Sequence, residues 1–152
     1  MRIYSLILLT LFLGACTKAV DTVYYKKKDI TRFTAKPFRS EKINKEIELV
    51  AVKECPGKVI CTDKEIKLTV IHSGRFTFLR GKDLVLKTEQ EQIELNQRDY
   101  SYTYDAFKMS NEGTSGLLTE QYLIWVPESD FIKAAHAKEA KMHIGKYAFE
   151  LP

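Results

Sequence analysis

The side chains best equipped for chemistry are three cysteines, three histidines, a scatter of carboxylates and a short run of alternating tyrosines. The cysteines stand at 16, 55 and 61. Three is an odd number, so at least one thiol has a task other than an intramolecular bridge. The histidines, His72, His136 and His143, show no H-E-x-x-H spacing, and none lies beside a cysteine, so the chain predicts no metal site and no cofactor. Ser73 follows His72, but neighbouring residues of a strand point to opposite faces, so the pair is no nucleophile and base. The nucleophile-elbow pattern G-x-S-x-G is absent. Asp83, Glu89, Glu91, Glu94 and Asp99 offer carboxylates in the numbers a glycosidase needs. They are read, however, as parts of the solvated faces of strands, with Glu94 between Ile93 and Leu95 the clearest case. The seven glycines are scattered at turn positions and form no phosphate-binding loop. These absences favour a non-enzymatic protein and rank a hydrolase last.

The constellation worth keeping is aromatic. Tyr100, Tyr102 and Tyr104 recur with period two and share one face of a strand. Tyrosine has a flat apolar body and a polar tip, which suits a wet interface with a sugar ring or a partner peptide. The competing reading makes the stripe the core face of its strand, and it is favoured because every strand of a small sandwich buries one face. Trp125 lies in the apolar run "EQYLIWV" and is expected in the core.

The first fifteen residues, "MRIYSLILLTLFLGA", differ from the rest. One basic residue, Arg2, precedes an apolar run from Ile3 to Leu13. At 1.5 Å per residue that run makes about 16 Å of helix, half of what a bilayer core requires. It has the layout of a signal peptide. Leu13-Gly14-Ala15-Cys16 resembles the lipobox of bacterial lipoproteins. The resemblance implies cleavage before Cys16, lipid on its thiol and acylation of the new N-terminus. Thr17 stands where an aspartate would resemble an inner-membrane retention signal, which favours the outer membrane where the cell has one. The implied location is the bacterial cell envelope, outside the cytoplasm.

With Cys16 so assigned, Cys55 and Cys61 remain in "ECPGKVIC", and the compartment outside the cytoplasm permits their pairing. Pro56-Gly57 supplies a turn between them. The alternatives are two free thiols or half a metal site, but the spacing is not a usual zinc spacing and there is no second cysteine pair. The pair is therefore expected to be a disulfide staple, restricting the unfolded chain by about 2 kcal/mol.

At 152 residues the chain supports one domain. Its formal charge of +4 is too small for a dedicated nucleic-acid binder. From residue 45 onward strand patterns dominate: "EIELVAV", "EIKLTVI", "RFTF", "DLVLKT", "EQIEL", "YSYTY", "EQYLIWV", "KMHI" and "YAFEL". The alanine-rich stretch after Pro127 predicts one short helix at about 128–137, with Phe131, Ile132 and Ala135 on one face. The stretch 108–116, rich in Gly, Ser and Asn, is expected to be a mobile loop. The fold expected is mainly β, a small antiparallel sandwich or barrel-like domain with one helix near the C-terminus. The domain plan is a signal peptide at 1–15, a partly docked tether at 16–44 with Lys26, Lys27 and Lys28 solvated, and a β-rich domain at 45–152.

The segments "CPGKVICTDKEIKLTV" and "LLTEQYLIWVPESDFIKAAHAKEAKMHIGKYAFEL" are also similar to an uncharacterised bacterial β-rich domain. That resemblance concerns packing signatures and implies a fold, not an activity. Together these readings anticipate a lipid-anchored envelope protein that binds a protein or envelope component. The alternative is a module that takes a glycan or small ligand on the tyrosine face.

Overall fold

The computed structural model describes residues 20–58, 60–61, 65–96, 98–109 and 113–151; Cys16 and the segment before it lie outside them. Among the described residues, eleven strands and one helix follow in the order β1 Val20–Tyr25, β2 Ile30–Ala35, β3 Phe38–Lys42, β4 Lys45–Pro56, β5 Glu65–Gly74, β6 Leu84–Thr88, β7 Gln92–Glu94, β8 Arg98–Met109, β9 Gly113–Pro127, α1 Glu128–His136, β10 Ala140–Ile144 and β11 Tyr147–Glu150. They form two antiparallel sheets. The larger runs β1-β2-β4-β5-β9-β8, and the smaller runs β11-β10-β6-β7. The long β4 carries two partners on one edge: β3 pairs with its residues 45–49 and β2 with its residues 52–56.

Alternation explains which face is buried. Ile47 and Leu49 on β4, Leu68 and Val70 on β5, and Tyr122, Ile124 and Val126 on β9 all face inward. Leu84, Leu86, Met142, Ile144 and Phe149 of the smaller sheet meet them in one core cluster. The expected mainly-β fold with a single helix near the C-terminus is what forms.

Residues 20–42, expected as a partly docked tether, supply β1, β2 and β3 of the larger sheet. The Lys26–Lys28 turn between β1 and β2 is exposed as expected. The helix also falls where expected, with Glu128 and Asp130 in its first turn and Lys133 and His136 in its last, both favourable to the helix dipole. Its inward face differs: Phe131 and Ala134 pack on the core, while Ile132 is exposed. Lys53 on β4 pairs with Glu128 and ties the helix start to the larger sheet.

Three further expectations are corrected. "RFTF" is no strand: residues 75–83 cross the inner face of the larger sheet as a loop, with Phe78 and Leu79 buried and Phe76 77% exposed. Trp125 lies opposite Lys67 on the outer face, half-buried, and not in the core. Strands β8 and β9 extend into the stretch expected as a loop, reaching Met109 and resuming at Gly113; residues 110–112 lie outside the described residues.

Cys55 and Cys61 are joined in a disulfide, as expected. The loop they close leans on the β1–β2 hairpin. Gly57, at φ 68°, donates its N–H to the Asp29 carbonyl at 2.7 Å and accepts the Thr31 hydroxyl at 2.6 Å. The staple therefore holds the end of β4 against the strands that begin the fold.

Candidate functional site

Register places a short polar row within the apolar inner face. His72 on β5 stands opposite Glu120 on β9, and Glu120 stands opposite Tyr102 on β8. The next row is Val70, Tyr122 and Tyr100. Glu120 is wholly buried. An ionised carboxylate in that position requires donors, and the crossing loop brings them. Phe78 donates its backbone N–H to Oε2, Leu79 donates to the same oxygen at 3.1 Å, and Arg80 donates to Oε1 at 3.2 Å. The Tyr100 hydroxyl donates to Oε1 at 2.8 Å. Burial by itself would raise the Glu120 pKa; the peptide N–H groups and the Tyr100 hydroxyl outweigh it and hold the carboxyl below its usual 4.5. Tyr100 is pushed up to about 12, first by burial and then by its bond to this carboxylate.

His72 completes the cluster without a bond. Its Nδ1 is buried 3.4 Å from Glu120 Oε2 and has no hydrogen-bond partner. Its ring packs 4.9 Å from Phe78 and folds over Gly74, where an added Cβ would meet the imidazole Cε1 at 2.8 Å. Burial lowers the His72 pKa; Glu120 opposes that shift and Lys45 adds to it. Ser73 points to the other face, 3.2 Å from the Thr119 hydroxyl, so the histidine and serine are separated as expected.

This cluster ties the crossing loop to the inner face of the larger sheet. The loop supplies three of the carboxylate's donors and Tyr100 of β8 the fourth. Residues 75–83 also close their far end here: Arg98 donates to the Leu95 carbonyl at 2.8 Å and the Lys82 carbonyl at 3.2 Å while lying over the Tyr122 ring.

One consequence is measurable. An imidazole whose folded pKa lies below 6.5 takes a proton more readily in the unfolded chain, so its stability contribution is present above 6.5 and is lost as pH falls toward the folded value. Glu120, also lowered, behaves likewise below 4.5. Urea denaturation is expected to show lower stability at pH 5.5 than at pH 7.5. His72→Gln is expected to shrink that difference, leaving the share of His143, which is also lowered, chiefly by burial. Equal stability of the natural chain at the two pH values would refute the assignment.

The tyrosine stripe divides. Tyr100 is half-buried among Tyr122, Tyr102 and Glu120, with ring centroids 5.3 and 6.2 Å away. Tyr102 and Tyr104 are 61% and 58% exposed. They stand beyond the crossing loop on β8, the last strand of its sheet, whose outer edge has no partner among the described residues. The Tyr104 ring lies across Gly116, where any Cβ would collide with it. Glycine at 116 thus gives Tyr104 a flat seat that covers otherwise bare backbone.

The other candidates are dispersed. His136 is exposed near the end of α1, and His143 lies on β10 opposite Val85. Glu89 accepts the N–H groups of Lys138 and Glu139, Glu91 pairs with Lys133, and Glu94 accepts from Asn96. Among the described residues no three His, Cys, Asp or Glu side chains gather as metal ligands. A separate apolar cavity of about 230 Å³ lies between the sheets beside α1.

Sequence reasoning missed Glu120. It shares the inward register of Tyr122, Ile124 and Val126, but the continuous apolar run that follows it conceals which parity faces in. No known protein family matches the chain, and neither a curated protein nor a solved structure does.

Proposed function

We propose that the chain is a membrane-anchored bacterial envelope lipoprotein, non-enzymatic, that binds a protein partner along the edge of β8. The observation that carries the binding role is the pair Tyr102 and Tyr104, exposed on a 12-residue edge strand with no neighbour on its outer side among the described residues. Such an edge offers unpaired N–H and C=O groups to an extended peptide. The tyrosines supply the adjoining side-chain contacts, and tyrosine is enriched at interface hot spots. The envelope address rests on the lipobox resemblance around Cys16, and the Cys55–Cys61 disulfide supports it, because such bridges persist outside the reducing cytosol. No described helix is long and apolar enough to cross a membrane. The second reading is a glycan ligand, favoured by the two neighbouring aromatic faces.

Cross-linking in cells, followed by identification of the linked proteins, tests the proposal. The double substitution Tyr102→Ala with Tyr104→Ala is expected to remove the specific cross-links and weaken the recovered complex at least tenfold. Both side chains are largely solvated, so a melting temperature within a few degrees of the natural chain is expected. An unchanged set of cross-linked partners would sink the β8 interface. Loss of retention on immobilised cell-wall glycan, without any protein partner, would support the glycan reading instead.

A further inference from the structure

The apolar cavity lies at the opposite end of the core from the polar cluster. Leu68, Leu86, Val126 and Met142 form its buried walls, and Phe131 and Ala134 of α1 form one side. Its volume of about 230 Å³ is larger than the roughly 150 Å³ that admits benzene in an enclosed apolar cavity, and here the space is open at one side. Five of its lining residues are alanines, at 35, 51, 134, 135 and 140, so small side chains keep open a space that larger ones would fill. The slot is half-open, so part of its apolar lining meets water, and an apolar occupant would remove that surface from water.

The mouth has a definable chemistry. Lys36 and Ala135 are the exposed members of the lining, so the opening lies between them. Lys36 is the one charged residue that lines the cavity, and it makes no hydrogen bond or ion pair among the described residues. A free cation at the mouth of an apolar slot complements a ligand with an apolar body and an anionic end. The chain's own path adds a third observation. Val20, where the described chain begins, pairs with Ala35 of the lining. Cys16 is four residues upstream, within about 14 Å of extended chain. On the anchored reading above, on which this third point alone rests, the mouth lies next to the membrane surface.

We propose that the cavity binds the acyl chain of a single-chain anionic lipid, with its carboxylate at Lys36. The test uses the full chain as isolated from cells and dodecanoate as the probe, read by native mass spectrometry and thermal denaturation. One dodecanoate per chain and a raised melting temperature are expected. Ala135→Trp, at an exposed position of the mouth, is expected to abolish binding while the unliganded protein melts normally. Lys36→Glu is expected to weaken dodecanoate at least tenfold and leave the uncharged dodecanol unaffected. Failure of the natural chain and of Cys16→Ser alike to bind millimolar dodecanoate, or undiminished binding by Ala135→Trp, would overturn the proposal. Equal weakening of both probes by Lys36→Glu would overturn the role of the carboxylate. Binding by Cys16→Ser but not by the natural chain would mean that the Cys16-linked acyl group already fills the cavity, overturning a free lipid as occupant. Failure of the anchored reading is distinguishable, because it appears as an unacylated mass for the natural chain.

Discussion

Glu120→Ala is expected to cost about 4 kcal/mol of folding stability. The reason is what the substitution leaves behind. Phe78, Leu79 and Arg80 would keep three backbone N–H groups aimed at a vacated site, and Tyr100 would keep its hydroxyl there. Each buried donor without an acceptor costs about 1–3 kcal/mol, partly relieved where water can enter. The loop itself would then loosen, and with it the burial of Phe78, which stacks edge-on against Tyr147 and Phe149 at 5.3 and 6.3 Å. Tyr100→Phe removes one bond and leaves the carboxylate its backbone donors, so its expected cost is about 1 kcal/mol. Urea denaturation measures both values. Hydrogen exchange supplies a local check: the amides of residues 78–80 should exchange much faster in Glu120→Ala than in the natural chain. A loss below 1.5 kcal/mol with those amides still protected would show that the carboxylate does not hold the loop.

The same carboxylate explains where the sequence misled. "RFTF" has the alternation of a strand, and in isolation nothing contradicts that reading. A strand at 75–78 would have given its N–H groups to a neighbouring strand. Instead the groups at 78, 79 and 80 turn toward a single side chain some forty residues further along the chain, and the backbone bends to reach it. No local pattern encodes that capture. Where long alternating segments bury one face against the second sheet, as in β4, β5 and β9, local pattern and tertiary packing agree and the elements were legible. The helix was legible for a similar reason: Pro127 ends a strand, and the alanines that follow favour helix over sheet. Its inward face was misjudged because Ile132 looked like a core residue, whereas Ala134 allows the closer approach to the sheets. Trp125 was misplaced because a continuous apolar run conceals which parity faces in; its neighbours Ile124 and Val126 occupy the core side. The tyrosine stripe was legible as one face of one strand, but not as a gradient from half-buried to open. That gradient depends on where the crossing loop stops covering the sheet. The cavity has no sequence signature, since it exists only between layers.

Cys16→Ser is expected to remove acylation entirely and, with it, stable membrane attachment of the mature protein. On the proposed reading the apolar run at 3–13 is removed with the signal peptide, which would leave anchoring to the lipid on Cys16. One acyl chain would hold only marginally, whereas the several that the lipobox resemblance implies at Cys16 would hold firmly. Fractionation of cells and mass analysis of the N-terminal peptide measure the outcome. A mature, acylated, membrane-bound Cys16→Ser protein would refute the anchor. The geometry of the larger sheet makes a second, separable demand. The chain leaves the domain at β1, one edge of that sheet, and Tyr102 and Tyr104 stand on β8, the other. Five strand spacings, about 24 Å, separate the two edges. The proposed anchor and the proposed binding edge are therefore expected to act independently. Purified Cys16→Ser protein should retain its partner in solution while losing its place in the cell. The tyrosine double variant should keep its place and lose the partner. If removing the lipid also abolished binding in solution, the N-terminus would itself belong to the interface, and the division of labour between the two edges of the sheet would be wrong.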